Sequence, residues 1–293
     1  MLLLAAATIP DDIHVLSIDH GLREEAAGEV ALVESICARL GVPFNAARVD
    51  VAPGNVQANA RAARYAALAA CAERFKWGAV ATAHHADDQA ETLLMRLARG
   101  SGLSGLAGVR AHTHLPDSDT PLIRPLLDFG KDELEQVVTS AGITPAADPS
   151  NTNPAFDRVR VRQHLDEHDW LDPKMLATSA NHLSEAWRAI EWFAELDWEE
   201  MVVEEREESD WPGFRYYANV PRIIQIETVR HIVAALGGQV SRSEAGRAAD
   251  RLWRGENASL GGVLAVPTIE KVEKIGVEMR VWRFRPEPPR TQH

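Results

Sequence analysis

Strand-like and helix-like segments alternate along the first 126 residues, and this alternation constrains the fold more than any other feature of the sequence. Short apolar runs rich in branched residues, typical of buried strands, occur at 13–19, 44–51 and 77–85. Each is followed by a segment typical of a helix, at 24–41, 55–75 and 87–100. Because parallel strands need helical crossovers, the pattern predicts an α/β fold, a parallel sheet with helices on both faces.

The sequence changes character after about residue 170. Long helices are predicted at 176–208 and 222–236, and seven of the eight tryptophans lie from Trp170 onward. The segments 259–267 and 278–286 look like strands. We therefore predict two domains, a catalytic α/β domain over 1–170 and a smaller, mainly helical domain over 171–293.

Composition excludes several classes of protein. With 45% hydrophobic and 25% charged residues and no segment as long as a membrane span, the sequence predicts a cytoplasmic globular protein without a membrane partner. A formal net charge of −12 argues against an indiscriminate nucleic-acid binder. Much of the acid lies in 195–210, interpreted as the solvated face of a long helix. Cys37 and Cys71 show no metal or redox spacing and are predicted to be reduced, buried thiols.

Ionisable groups are concentrated where the third predicted strand meets its helix, in TAHHADDQAET at 82–92. His84 falls at the carboxyl end of the strand, where open α/β sheets bind ligands. If the helix begins near Asp87, then Asp88 and Glu91 share one of its faces. Acids also stabilise helix starts, and we prefer that explanation for Asp87 alone.

Two kinds of metal site are compatible with this stretch. A zinc or iron site is disfavoured because adjacent residues seldom converge on one ion and no distant ligand set stands out. Magnesium held by a carboxylate together with nucleotide phosphates fits better, since Mg²⁺ needs only one or two protein oxygens.

The block HHADDQAETLLMRLARGSGLSGLAGV, at 84–109, resembles the signature of tRNA(Ile)-lysidine synthetases, which belong to the PP-loop ATP pyrophosphatase superfamily. Other segments resemble the family in the same order, so that the resemblance spans nearly the whole chain: 18–23, 55–68, 123–134, 148–162 and 259–265. It implies an adenine-nucleotide α-hydrolase-like fold and a C-terminal tRNA-binding domain.

The resemblance implies a two-step ligation on tRNA(Ile) with a CAU anticodon. ATP adenylates the C2 oxygen of the wobble cytidine and pyrophosphate leaves; the ε-amine of lysine then displaces AMP to give lysidine. The implied cofactors are ATP and Mg²⁺, and the implied partners are tRNA(Ile) and lysine. A homodimer is left open.

The resemblance also assigns roles to single residues. His84 would lie near the α-phosphate, and Asp88 and Glu91 would serve the metal, the cytosine or the lysine, with Asp88 as the Mg²⁺ ligand. Three residues after the first predicted strand would lie near the nucleotide, although a simple glycine turn also accounts for them: Asp19, His20 and Gly21. The segment 101–105 is either a loop that closes on substrate or an ordinary connection between helices.

Five arginines complete the predicted site. Arg64 and Arg158 would contact phosphate or base, Arg64 as a catalytic group. Arg61 and Arg162 are weaker candidates for tRNA binding, because a solvated charge on a helix is the favoured interpretation of each. In RVRVR, at 158–162, an extended chain would place Arg158, Arg160 and Arg162 on one side, whereas a helix would group only the first and last. Either arrangement could contact tRNA phosphates.

One family motif, Ser-Gly-Gly-x-Asp-Ser, does not occur in the 293 residues. In PP-loop enzymes its backbone N–H groups cradle pyrophosphate. The stretch MLLLAAA, at 1–7, resembles the segment that follows the motif and should be the back half of a helix. We therefore expect the first strand, the phosphate loop and part of the first helix to be missing, so that these residues alone bind ATP poorly and can be inactive.

Two rival functions remain. The first is another PP-loop tRNA-modifying enzyme, such as a thiolase of tRNA cytidine, against which the lack of Cys-x-x-Cys counts. The second is a catalytically inactive tRNA-binding remnant.

Overall fold

A computed structural model describes residues 1–21, 26–146, 157–206, 212–272 and 276–287. The chain divides into two compact units, residues 1–184 and 185–293. The domain boundary placed near residue 170 from the sequence stays a prediction. Across the described ranges, each helix is too short or too polar to cross a bilayer.

The elements of the first unit follow the predicted alternation. In chain order they are α1 (Leu2–Thr8), a 3-10 turn (Pro10–Asp12), β1 (Val15–Asp19), α2 (Ala26–Leu40), β2 (Phe44–Arg48), α3 (Val56–Phe75), β3 (Val80–Ala81), α4 (Ala86–Ala98), α5 (Leu103–Leu106), β4 (His112–His114), β5 (Pro121–Ile123), α6 (Lys131–Ser140), α7 (Asp157–Glu167) and α8 (Pro173–Met201), which contains the boundary between the units. The helix at α1 agrees with the expectation for MLLLAAA.

The parallel pairing predicted from the alternation is present in two sheets. β1 and β2 form one parallel pair, and β3 pairs in parallel with β5, which also pairs antiparallel with β4. The third predicted strand is shorter than expected, because residues 82–85 form the polar turn into α4. The core between α3 and these strands consists of six buried side chains: Tyr65, Leu68, Ala72, Val80, Leu115 and Leu122.

The second unit is built around a five-stranded antiparallel sheet. Beyond α8 its elements are β6 (Val202–Arg206), β7 (Pro212–Tyr217), α9 (Arg222–Ala235), α10 (Arg242–Trp253), β8 (Ala258–Leu260), β9 (Val263–Val272) and β10 (Val277–Pro286), with strand order β6-β7-β10-β9-β8. The strands expected near 259–267 and 278–286 are confirmed. Gly261 and Gly262 both have positive φ between the paired ends of β8 and β9, as a tight hairpin turn requires.

The helix predicted to run to residue 208 is wrong beyond Met201. Val202 and Val203 begin β6, which pairs with β7 along its length. Branched side chains and an available partner strand override the helical pattern here. The acidic run is therefore not one helix face: Glu205 lies on the strand with a carboxylate oxygen 3.3 Å from Nε of Arg215. Residues 207–210 of the run lie outside the described ranges.

The two cysteines are free thiols, in line with the sequence. Cys37 is buried as predicted, whereas Cys71 is only half-buried. The prediction of burial is therefore wrong for Cys71, which lies on the boundary between the packed and exposed faces of α3.

Candidate active site

The first turn of α4 is capped by Asp88. The helix begins at Ala86, and the backbone N–H of His85 donates to Oδ2 of Asp88 over 3.0 Å. Asp87 accepts the backbone N–H of Lys131 instead, which ties α4 to the start of α6, and its hydrogen bond with His85 lowers the pKa of Asp87 and raises that of His85. Asp87 lies in the first turn, as expected of an acid that stabilises a helix start, while the capping hydrogen bond is made by Asp88.

His84 is held as a neutral base at the end of β3. Its Nδ1 lies 3.0 Å from the hydroxyl of Thr82. Burial lowers the pKa of His84 to about 4, helped by the guanidinium groups of Arg124, Arg61 and Arg158 and opposed by the carboxylate of Asp88. The imidazole is therefore uncharged at neutral pH despite the acids beside it.

Glu91 lies one turn after the cap and is almost completely buried, with 2% of its side chain exposed. Its Oε1 accepts from Nε of Arg162 at 2.8 Å and lies 2.7 Å from Nη2 of the same residue. Its Oε2 lies 4.0 Å from Nε of Arg158 and has no hydrogen-bond partner within the described ranges. Burial raises the pKa of Glu91 even though Arg162 opposes the shift.

The RVRVR segment is helical, so the extended alternative is excluded. On α7, Arg158 and Arg162 share the face toward Glu91, whereas Arg160 pairs with Asp157 near the helix start. The interpretation of Arg162 as a solvated charge is wrong, because it forms the ion pair of a buried acid. Residues 147–156, part of the segment that resembles the family, lie outside the described ranges.

A cleft of about 310 Å³ opens beside His84. It is lined by the residues Arg61, His84, Thr92, Met95, Arg96, Arg99, Val109 and Arg158. Four guanidinium groups and no carboxylate line it within the described ranges, so the cleft suits a phosphate-bearing ligand although the chain is acidic overall. The sequence reasoning missed Arg96 and Arg99; their spacing of three on α4 was the available signal.

The connection from α4 to β4 is fixed by two side chains of α4. Nη1 of Arg96 donates to the carbonyls of Gly105 and Gly108, at 2.6 and 3.1 Å. The carboxamide of Gln89 accepts the Val109 N–H at 2.6 Å and donates to the Val109 carbonyl at 2.8 Å. Of the two alternatives for residues 101–105, the contacts favour an ordered connection between helices. Farther along the same connection, Val109 lines the cleft.

Replacing Gln89 with alanine should destabilise the protein by about 1–3 kcal/mol, because both backbone groups of Val109 would lose their buried partners. Urea unfolding measures the loss, and hydrogen exchange at the Val109 amide should accelerate. Gln89→Glu keeps an acceptor for that amide but places a buried carboxylate against the Val109 carbonyl, so at pH 7 it should destabilise the protein at least as much as Gln89→Ala. Equal exchange rates in wild type and Gln89→Ala would contradict this role.

The residues after β1 form a glycine turn. Oδ1 of Asp19 accepts the N–H of Gly21 at 2.8 Å, and Gly21 has a φ of +61°. His20 contacts Arg64 through Nε2 at 3.4 Å, while its buried Nδ1 has no partner in the described part of the chain. Burial and Arg64 lower the pKa of His20. The turn explanation thus accounts for Asp19 and Gly21, and leaves His20 and Arg64 as the pair with ligand-binding capacity.

The low pKa of His84 should make the stability of the fold depend on pH. Because its folded pKa is lowered from 6.5 to about 4, the unfolded chain binds a proton more readily, and stability should fall as pH drops through this interval. In His84→Asn that loss should be absent, so the difference in unfolding free energy between wild type and variant should shift in favour of the variant from pH 7 to pH 4. A difference that is constant with pH would show that His84 titrates normally.

Comparison with known proteins places this chain in a family. Residues 1–168 match the family model of the PP-loop domain. A tRNA(Ile)-lysidine synthase of Novosphingobium aromaticivorans is 43% identical over 244 residues, covering 83% of this chain and 74% of the relative. One from Zymomonas mobilis is 36% identical over 295 residues, covering 99% of this chain and 85% of the relative.

A solved structure supports the fold alone. The U34-tRNA thiolase NcsA from Methanococcus maripaludis, with its [4Fe-4S] cluster, superposes with a TM-score of 0.51 at 17% identity, covering 64% of this chain and 65% of the thiolase. The sequence relatives are much closer, cover most of this chain and carry a single name. With its PP-loop domain and these relatives, the chain belongs to the tRNA(Ile)-lysidine synthase family.

Proposed function

We propose that this chain ligates lysine to C2 of the wobble cytidine of tRNA(Ile) with a CAU anticodon, through an adenylated tRNA. The products are lysidine, AMP and pyrophosphate. The observation that carries the proposal is the arginine-lined cleft beside His84, in a chain whose relatives are tRNA(Ile)-lysidine synthases. ATP and tRNA are cytoplasmic substrates, so we place the reaction in the cytoplasm.

The adenylation step needs positive charge around the α-phosphate. Arg61 and Arg158 reach the cleft from α3 and α7 and would stabilise the negative charge that develops there. We assign His84 the role of an uncharged donor: Nδ1 accepts from the Thr82 hydroxyl 3.0 Å away in the tautomer that carries its proton on Nε2. The ring could then donate to a phosphate oxygen throughout the neutral pH range.

Asp88 and Glu91 differ in burial, and we assign them different roles for that reason. Glu91 is enclosed with Arg162, so we assign it to positioning the two arginines of α7. Asp88 is more accessible and uses Oδ2 for the helix cap, which leaves its second oxygen as a candidate ligand for Mg²⁺. When bound, the ion would neutralise charge on the triphosphate. Asp88 also acts electrostatically on His84, which lines the cleft, so we assign the orientation of the lysine amine to the same carboxylate.

A second cavity suits the ring of a nucleoside. It has a volume of about 400 Å³, and its lining includes Arg61, which also lines the first cavity, together with Tyr65 and Leu122. The guanidinium of Arg61 lies 5.0 Å from the centre of the Tyr65 ring. A base in this cavity and a phosphate in the first would be bridged by one arginine. Arg160 and the second unit are proposed to add contacts to tRNA phosphates.

Transfer of labelled lysine to tRNA tests the proposal. The protein would be made as the 293 residues and also with the in-frame codons upstream of Met1 translated. Each form would receive ATP, Mg²⁺ and either tRNA(Ile) or tRNA(Met), which share the CAU anticodon. Transfer to tRNA(Ile) alone, by either form, supports the ligase. Binding of tRNA(Ile) without transfer by either form would favour the inactive remnant.

The thiolase alternative is not favoured by the cysteine content. The 293 residues contain two cysteines, and these are separated along the chain at 37 and 71. Iron–sulfur clusters are usually held by more cysteine ligands than that, and the solved structure of NcsA contains a [4Fe-4S] cluster. The likeness to NcsA therefore concerns the fold.

A further inference from the structure

A cluster of metal-ligating side chains lies at the C-terminal end of α7. His164 and Glu167, three residues apart, share a face of the last turn, and His168 directly follows the helix. One ligand atom of each lies within 4.8 Å of the others. Among the described residues, no other group of three or more His, Cys, Asp or Glu side chains has its ligand atoms this close together.

The ring of His168 is fixed in an orientation that leaves a metal-binding nitrogen free. Its Nδ1 lies 2.8 Å from the backbone carbonyl of His164. A carbonyl oxygen can only accept, so Nδ1 carries the proton and the neutral ring has its lone pair on Nε2. A hydrogen bond from the other ring nitrogen to a carbonyl is the usual support of a metal-binding histidine. An ordinary solvated histidine has no such fixed tautomer.

The surroundings favour a cation. The site lies where α7 ends, beside the negative end of the helix dipole. The sequence HLDEHDWLD, at 164–172, adds three further acids within a few residues of the ligands: Asp166, Asp169 and Asp172. The three ligand side chains are exposed, so little desolvation opposes the binding of an ion.

We propose that His164, Glu167 and His168 bind one Zn²⁺ ion. Two imidazole nitrogens and a carboxylate oxygen match the preference of zinc, whereas Mg²⁺ and Ca²⁺ prefer oxygen alone. A water molecule completes the four-coordinate shell. The carboxylate of Glu167 already lies 3.6 Å from Nδ1 of His164, so a change of side-chain rotamer brings both ligands to one ion.

Zinc at this site would tie the last turn of α7 to the residue that follows the helix. The same helix places Arg158 and Arg162 at Glu91, so the ion would stabilise the helix that completes the cleft. The proposal does not rest on the function proposed above, because it concerns binding and helix stability. Its test therefore needs no tRNA, ATP or lysine.

Zinc binding is measured by competition with a chromogenic chelator, on the full chain purified without a polyhistidine tag. The variant His164→Ala/His168→Ala should lose the site, and Glu167→Gln should weaken it about tenfold or more. The matched control is His112→Ala/His114→Ala, which removes the same number of exposed imidazoles from β4. We expect the control to bind zinc within twofold of the wild type.

Cobalt replaces zinc as a spectroscopic probe. One equivalent of Co²⁺ should give the visible absorption of a four-coordinate site in the wild type and control, and not in the double variant of α7. Circular dichroism in the absence of metal shows that each variant is folded. Equal zinc affinity in the wild type and in folded His164→Ala/His168→Ala would overturn the proposal, and so would an equal loss of affinity in the control.

Discussion

Replacing Arg158 with methionine is expected to lower kcat for lysine transfer about 100-fold or more. Removing one donor that stabilises developing negative charge typically costs this much. The guanidinium of Arg158 lines the cleft, lies 4.0 Å from Glu91 and contributes to the low pKa of His84. Methionine keeps most of the aliphatic part of the side chain, so the substitution should lower kcat and leave the fold intact. Single-turnover kinetics with bound tRNA measures it.

The control for Arg158→Met is Arg39→Met. Arg39 is an exposed arginine in the last turn of α2, in the same unit but outside the cleft. Arg39→Met removes the same positive charge as Arg158→Met and should leave kcat unchanged. If Arg158→Met keeps kcat within about threefold of the wild type, the cleft is not where charge develops.

Replacing Arg162 with methionine is expected to destabilise the fold by about 2 kcal/mol at pH 7. Breaking a buried ion pair from one side typically costs about 3–5 kcal/mol. The value here should be lower, because 33% of the Arg162 side chain is exposed and the carboxyl of Glu91 can take up a proton. Urea unfolding measures the loss.

The effect of Arg162→Met should depend on pH in a defined direction. The pKa of Glu91 is raised above 4.5, so the folded state favours its protonated form; that stability is present at low pH and is lost as pH rises through the folded pKa. Without Arg162 the pKa rises further. The gap in stability between wild type and variant should therefore close as pH falls toward 4.5. Glu91→Gln removes the titrating group, and in that background Arg162→Met should show no such trend.

Local sequence patterns were sufficient to predict most of the strands and helices of the first unit. Periodicity located the strands and helices through α4, and the ionisable stretch at 82–92 correctly marked the junction of β3 and α4. The chain leaves β3 early because residues 82–85 are polar and turn into the helix. Local signals are strong here, since α3 and α4 each begin at a capping side chain, Asn55 and Asp88.

Contacts between distant segments could not be read from the sequence. The pairing of Glu91 with Arg162 joins residues 71 positions apart, and nothing in the local pattern distinguishes Arg162 from a solvated charge. The same holds for Gln89, whose partner is a backbone segment 20 residues away. The strand at β6 was missed because its pairing with β7 decides the conformation of an otherwise helix-compatible sequence.

The fate of the α-phosphate of ATP tests the central claim most directly. The active form of the protein would be incubated with ATP labelled at the α-phosphate and tRNA(Ile), first without lysine and then with it. The account predicts label on the tRNA before lysine is added, and its release as AMP when lysine enters, with Arg158→Met slowing the first step. Label that appears on lysine instead, independently of tRNA, would contradict the account, because the cleft would then activate the amino acid and not the cytidine.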